Sequence, residues 1–128
     1  MKKDLFYEEM NILSDNFPVI FHYDHLSRND DAKPAYLNRH WHEKIELLYI
    51  DKGHGTIICS TREYKVEPGD LVVINSNEIH EGYPSKIGLK YYCIIIDNLT
   101  LPSYILQLTK YSLNFPVRKN NRCTSCDK

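Results

Sequence analysis

The chain has 128 residues, 42% of them hydrophobic and 26% charged, the balance of one globular domain and not of a disordered or membrane-spanning chain. Sixteen Lys and Arg against 17 Asp and Glu leave a formal net charge of −1, too little positive charge to cover a nucleic-acid backbone, so DNA binding by this chain alone is not expected. At this length a single fold buries about two-thirds of the unfolded chain's surface, so a core can form without a structural metal or a disulfide.

The N-terminus, Met1-Lys2-Lys3-Asp4, leads into mixed polarity instead of a signal-peptide apolar region. No run approaches the roughly 18 consecutive apolar residues of a membrane helix. The expected location is cytoplasmic, without a membrane partner. Cys59, Cys93, Cys123 and Cys126 are then expected as reduced thiols, with Cys59 and Cys93, set in apolar runs, packing as small hydrophobes.

Residues 1–16 read as an N-terminal arm, with Leu5, Phe6, Ile12 and Leu13 at loosely helical spacing. From Phe17 the texture changes to short apolar runs, at 18–23, 45–50, 56–59, 71–74 and 89–96, each of strand length. The stretches between them, at 51–55, 67–70, 75–77 and 84–86, carry the Gly, Pro and Asn chemistry of turns. Many short strands so spaced predict an all-β sandwich or barrel. The runs at 45–50 and 89–96 are apolar on both alternating faces and are expected at the centre of the core, buried on both sides. Ser103 is placed to cap a helix running to Asn114, which Phe115-Pro116 stops. The domain is thus expected over 17–114, and residues 115–128 read as a polar basic tail. The Cys123-Thr-Ser-Cys126 pair within it lacks the second pair a zinc site needs, and no helix start follows it as a dithiol redox motif requires.

The stretch richest in chemistry is His40-Trp41-His42-Glu43-Lys44-Ile45-Glu46, with Gly53 beyond it. Two histidines two residues apart on an extended chain share a face, because the side-chain period of a strand is two. Glu46 has the same parity but would lie about 13 Å beyond His42 on a straight strand, so joint ligation requires the backbone to turn between Glu43 and Ile45. Trp41, of opposite parity, is expected to face away. A second segment runs from Gly69-Asp70-Leu71 through Asn75-Ser76-Asn77 to His80.

At these two segments the sequence resembles the cupin superfamily. His40, His42, Glu46 and Gly53 stand at the spacings of the first cupin motif, and Gly69 and His80 at those of the second. Asn75 and Asn77 stand where proline and glycine are usual, and asparagine tolerates the left-handed conformation that glycine supplies. Lys33-Pro34 and Pro84 occupy the neighbourhoods of a leading glycine and a closing asparagine. The closer likeness, from about Tyr36 to Asp97, is to the N-terminal effector-binding domain of AraC-type transcription regulators. It is carried by Tyr64-x-Val66-x-Pro68-Gly69-Asp70-Leu71 and Glu78-Ile79-His80-Glu81.

The resemblance implies a cupin jelly-roll barrel, here with a short C-terminal helix, that binds a small polar effector, such as a sugar, and dimerises. DNA would be reached only through a domain not in this chain. It implies a ligand site at His40, His42, Glu46 and His80, with Tyr92 expected on the neighbouring strand as a phenol able to stack on a sugar face. A set of three imidazoles and one carboxylate also suits Fe, Mn, Ni, Co or Zn. Imidazoles in such domains serve sugar hydroxyls or structural hydrogen bonds as well, so both uses stay open. The expectation is a binding module and not an enzyme, with a free-standing metal-dependent cupin of dioxygenase or isomerase type as the alternative.

Overall fold

The computed structural model describes residues 5–10, 19–28 and 36–96, together with the backbone of 117–118. Seven strands form one antiparallel sheet: β1 (Val19–Leu26), β2 (Leu37–His40), β3 (Ile45–Cys59), β4 (Arg62–Val66), β5 (Leu71–Ile74), β6 (His80–Ile96) and β7 (Val117–Arg118). The order is β1-β6-β3-β5-β7, with β2 also pairing β6 and β4 also pairing β3. No helix occurs among the described residues, and the one expected over Ser103–Asn114 lies outside them, as do Cys123 and Cys126. Val117 and Arg118, in the stretch read as a polar tail, pair with Val72 and Leu71.

The arm departs from its helical spacing. Its described part, 5–10, turns at Leu5–Phe6 and then makes a parallel bridge from Tyr7 to Trp41.

Two expected turns are interior to strands. β3 runs through Asp51-Lys52-Gly53-His54-Gly55, and β6 runs through Pro84-Ser85-Lys86, paired to each other with bulges at Ile50/Lys52 and Gly53/Gly55. The glycines and the proline there serve a corner and not a reversal, because a bulge bends both strands while keeping them paired. Gly53 (φ 79°) sits against Gly88 (φ 84°), so close that a Cβ on Gly53 would come within 2.1 Å of the Gly88 carbonyl oxygen. The corner folds the sheet over on itself. One half holds 45–50 and 89–96 with β1 and β5, and the other holds 55–59 and 80–84 with β2 and β4. The reversal at Glu67-Pro68-Gly69-Asp70 is a tight turn as expected, with the Asp70 amide donating to the Glu67 carbonyl at 3.1 Å and Gly69 at φ 90°.

Between the halves lies the core: Leu48 and Ile50 of β3, Val72 and Ile74 of β5, and Leu89, Tyr91, Cys93 and Ile95 of β6. Cys59 and Cys93 are buried free thiols, as expected. The expectation that 45–50 and 89–96 are buried on both faces is corrected. Their alternate residues in the pleat, Tyr49, Tyr92 and Ile94, lie on the outer face with Phe21 and Tyr23, where Phe21 stays 60% exposed. Along β3 and β6 the burial thus alternates with the pleat.

Gly53→Ala forces an L side chain into a left-handed backbone against a carbonyl. We expect a loss of at least about 3 kcal/mol by urea unfolding, whereas Ile87→Ala, at a site 73% exposed, should change stability by less than about 0.5 kcal/mol. A Gly53→Ala protein as stable as the parent would show that the corner is not set there.

Candidate functional site

The structure brings His40, His42, Glu46 and His80 together. One ligand atom from each can be chosen so that all lie within 4.8 Å of one another, and His42, Glu46 and His80 are buried. The required turn is present: the chain bends at Glu43–Lys44 between β2 and β3, which returns the Glu46 carboxylate to the histidines. The bend is clamped by the turn that precedes β6. The Ser76 hydroxyl donates to the Glu43 carbonyl, and the Asn77 amide donates to the His42 carbonyl at 2.8 Å. Asn77 takes φ 62°, the conformation glycine would supply, and the Glu78 carboxylate accepts from the Asn75 amide at 3.0 Å, closing the turn that delivers His80. His80 then pairs with His40 across β2 and β6, and with Cys59 across β3.

All three rings are held in the same sense. Nδ1 of His40, His42 and His80 faces the carbonyl oxygens of Asn38 (2.6 Å), Lys44 (2.9 Å) and Glu78 (2.9 Å). A carbonyl only accepts, so each Nδ1 carries its proton and each Nε2 presents a lone pair when the ring is neutral. These lone pairs point at carboxylates. His42 Nε2 lies 2.9 Å and His80 Nε2 3.3 Å from the same Glu46 Oε2, and His40 Nε2 lies 3.0 Å from Glu8 Oε2. His80 Nε2 is buried and has no aligned hydrogen-bond partner among the described residues. Acceptors facing acceptors in a buried site repel unless a proton or a cation stands between them.

The electrostatics follow from that confinement. Burial alone would raise the Glu46 carboxyl, but His42 at 2.9 Å, His80 at 3.3 Å and the Cys93 thiol, which donates at 3.1 Å, outweigh it and hold the group far below the usual carboxylate range. Burial disfavours the charged form of His80, yet the adjoining Glu46 carboxylate reverses this and the net shift is upward. His40 shifts the other way, pushed down first by burial and then by the charge of His80. Burial, then Glu46, pushes the Cys93 thiol up, which keeps it a donor.

The donor set fits a divalent ion. Two donors at right angles on an ion, each at about 2.1 Å, sit about 3.0 Å apart, and opposite donors about 4.2 Å apart. The 2.9 and 3.3 Å separations match the first value, and a spread of 4.8 Å needs a contraction of only about half an ångström to match the second. His40, His42, Glu46 and His80 would hold the ion, with three rings already oriented by backbone carbonyls as metal-bound histidines are.

Beside the cluster opens a cavity of about 530 Å³, lined by His40, Glu46, Tyr91, Cys93, Arg39 and Asp24 among others, and flanked by the arm residues Leu5 to Glu8. That volume suits a small ligand. Tyr92 is not among its walls. The β6 pleat turns Tyr91, Cys93 and Ile95 inward and Tyr92 outward, where its ring packs 4.7 Å from Tyr23 and 5.6 Å from Phe21. The run 89–96 is apolar at both parities, so periodicity left the inward set undetermined. Trp41 faces away from the cluster and packs on Tyr7, with ring centroids 4.9 Å apart. His22 contributes to the cavity wall from β1, and Glu8 reaches His40 from the arm. Neither carries a spacing signal.

The family of AraC-like ligand binding domains matches residues 25–123. No curated protein matches the chain. Among solved structures, the cupin 2 conserved barrel domain protein of Salinispora arenicola superposes with a TM-score of 0.57 at 14% identity, over 77% of this chain and 79% of its own. A cupin 2 conserved barrel domain protein of Rhodopseudomonas palustris gives 0.54 at 19%, over 67% and 57%. The oxalate decarboxylase of Bacillus subtilis, described with Mn(II) centres, gives 0.54 at 20%, over 62% of this chain and 21% of the enzyme, so the chain spans about a fifth of that protein. At such identities the likeness shows the fold, an all-β cupin barrel.

The opposed shifts of Glu46 and His80 make a pH prediction for protein stripped with chelator. A depressed carboxyl contributes stability above the ordinary 4.5 that is lost as pH falls; a raised imidazole contributes below the ordinary 6.5 that is lost as pH rises through its folded value. The melting-temperature difference between wild type and His80→Gln should therefore be largest between pH 4.5 and 6.5 and shrink on both sides. His80→Gln also removes the charge that pushes His40 down, which trims the difference further at the acid end. A difference that grows steadily toward pH 9 would contradict the pairing.

Proposed function

From a chain that belongs to the AraC-like ligand binding domain family, we propose a sensing module whose cavity takes a small polar effector, such as a sugar, beside a divalent ion held by His40, His42, Glu46 and His80. The module acts as a homodimer and reaches DNA through a domain outside this chain. It is a binding module and not an enzyme. The observation that carries the reading is the convergence of His42 and His80 Nε2 on buried Glu46 at the wall of the cavity, with a ligand atom of His40 within 4.8 Å of theirs.

The chain's own residues divide the work. Asn38, Lys44 and Glu78 orient the rings through their carbonyls, and Cys93 fixes the second Glu46 oxygen. Arg39, Asp24 and His22 supply polar groups to the cavity wall, and Ile95, paired with Glu46 across β3 and β6, supplies an apolar one. A bound ion would supply a Lewis-acidic anchor for effector hydroxyl or carboxylate oxygens. Effector binding that favours one of two arrangements of the dimer would carry the signal, by as much free energy as the two arrangements differ in affinity.

The second reading, a metal-dependent cupin enzyme of dioxygenase or isomerase type, draws on the same observation, since four protein donors leave positions on an octahedral ion that could take a substrate.

Metal analysis of protein purified without chelator or a nickel column should find about one ion (Fe, Mn, Ni, Co or Zn) per chain, lost in a His42→Ala, His80→Ala double variant. A metal-free wild type would remove the ion from the reading. Thermal-shift measurements against sugars and uronic acids should raise the melting temperature by several degrees at a hundredfold excess over Kd, corresponding to about 2.7 kcal/mol. No response to any polar small molecule would count against sensing, and turnover of a bound compound by metal-loaded protein would favour the enzyme.

A further inference from the structure

We propose that the wall shared by β1 and β6 sets the specificity of the cavity: Asp24, with the Tyr91 hydroxyl beside it, takes a protonated amine of the effector, so that the module prefers an amino sugar to the neutral sugar or the uronate of the same shape. This rests on the sensing reading above and names the chemistry of the effector.

Alternate residues of β1 face inward. Asp24 stands opposite Tyr91 and His22 opposite Cys93 across β1 and β6, and all four line the cavity, whereas Tyr23 and Tyr92 between them pack on each other outside. Side chains directly opposite on one face of an antiparallel pair have Cβ atoms about 5 Å apart, so Asp24 and Tyr91 can act on one bound group. Tyr91 is 2% exposed, and neither its hydroxyl nor the half-buried Asp24 carboxylate has a hydrogen bond or an ion pair among the described residues. A hydroxyl that deep is left to bond with what enters the cavity.

The charge felt at this wall is negative. Burial first, then Asp24, pushes the Tyr91 phenol up, and burial, then Glu46, Asp24 and Glu8, does the same to the Cys93 thiol. Glu46 has His42 and His80 against it and Glu8 has His40, but Asp24 has no cationic partner among the described residues and lies outside the group that could hold a metal ion. Arg39, the guanidinium on the wall, stands 5.5 Å from the centre of the Phe6 ring. An effector seated on Tyr91 strips water from Asp24, and an ionised carboxylate so stripped is costly unless a positive charge replaces the water. A hydroxyl brings one proton and no charge, and a uronate brings a second negative charge. A protonated amine brings three protons and the missing charge, enough to donate to Asp24 and to the Tyr91 oxygen together.

The test is calorimetric titration of the full chain, as purified, with glucosamine, galactosamine and mannosamine, each set against its parent sugar, its N-acetyl derivative and, for glucose and galactose, the uronate. At least one amino sugar should bind tenfold or more tightly than its neutral counterparts, with the uronate weakest, and Asp24→Asn should bring that amino sugar down to the affinity of its parent. Ligand-free Asp24→Asn should melt no lower than wild type, because it removes a carboxylate that has no partner. Preference for a neutral sugar or a uronate, or an amino sugar bound equally by wild type and Asp24→Asn, overturns the proposal and leaves sensing standing. A fall of several degrees in the melting temperature of ligand-free Asp24→Asn overturns it too, since Asp24 would then hold a structural contact. If no compound of any charge binds, the sensing reading fails and the amine preference with it.

Discussion

A single buried carboxylate organises this domain. Glu46 sits in the barrel interior with His42 and His80 on one oxygen and the Cys93 thiol on the other. A carboxylate so confined is tolerable only with compensating charge, because desolvation costs several kcal/mol per ion and is offset only by close, well-aligned partners. The surrounding structure supplies them from three directions: the bend at Glu43–Lys44, the turn at Asn75–Asn77, and the inward side of β6. The result is a cluster of donors with too few protons, a set that could hold a metal ion.

The same constraint explains why the sheet closes where it does. His80 opens β6 and Cys93 lies thirteen residues further along it, at opposite ends of the corner. They meet Glu46 together only because β3 and β6 bend at the Gly53–Gly88 contact, where side chains larger than hydrogen would collide with backbone. Fold and site therefore depend on one another through two glycines that touch no ligand. The cavity inherits polar walls from the cluster and apolar walls from the core, the combination by which small-molecule sites gain both orientation and affinity.

Membership of the AraC-like family places a binding role on this architecture. The fold is shared with cupin barrels of other kinds, so function must be argued from the cluster and the cavity beside it. An arm from outside the barrel reaches His40 through Glu8, 3.0 Å from its Nε2, and flanks the cavity.

Much of this was legible in the residues themselves. The resemblance to the two cupin motifs pointed to His40, His42, Glu46 and His80, and the parity argument made their joint use depend on a bend that the structure shows between β2 and β3. Short-range chemistry of this kind is readable because strand parity and turn preferences are local. Tyr92 was misplaced and Tyr91 and Cys93 overlooked because a run apolar at both parities does not say which side faces in; register against β1 and β3 decides that. Gly53 and Pro84 looked like reversals because a corner and a turn use the same residues, and only pairing across fifteen or more positions of chain separates them. Sequence by itself determined which groups could act and what bend their convergence would need. The tertiary structure alone decided what stands around them, from Glu8 to Cys93, because those contacts join segments far apart in the chain that no local periodicity relates.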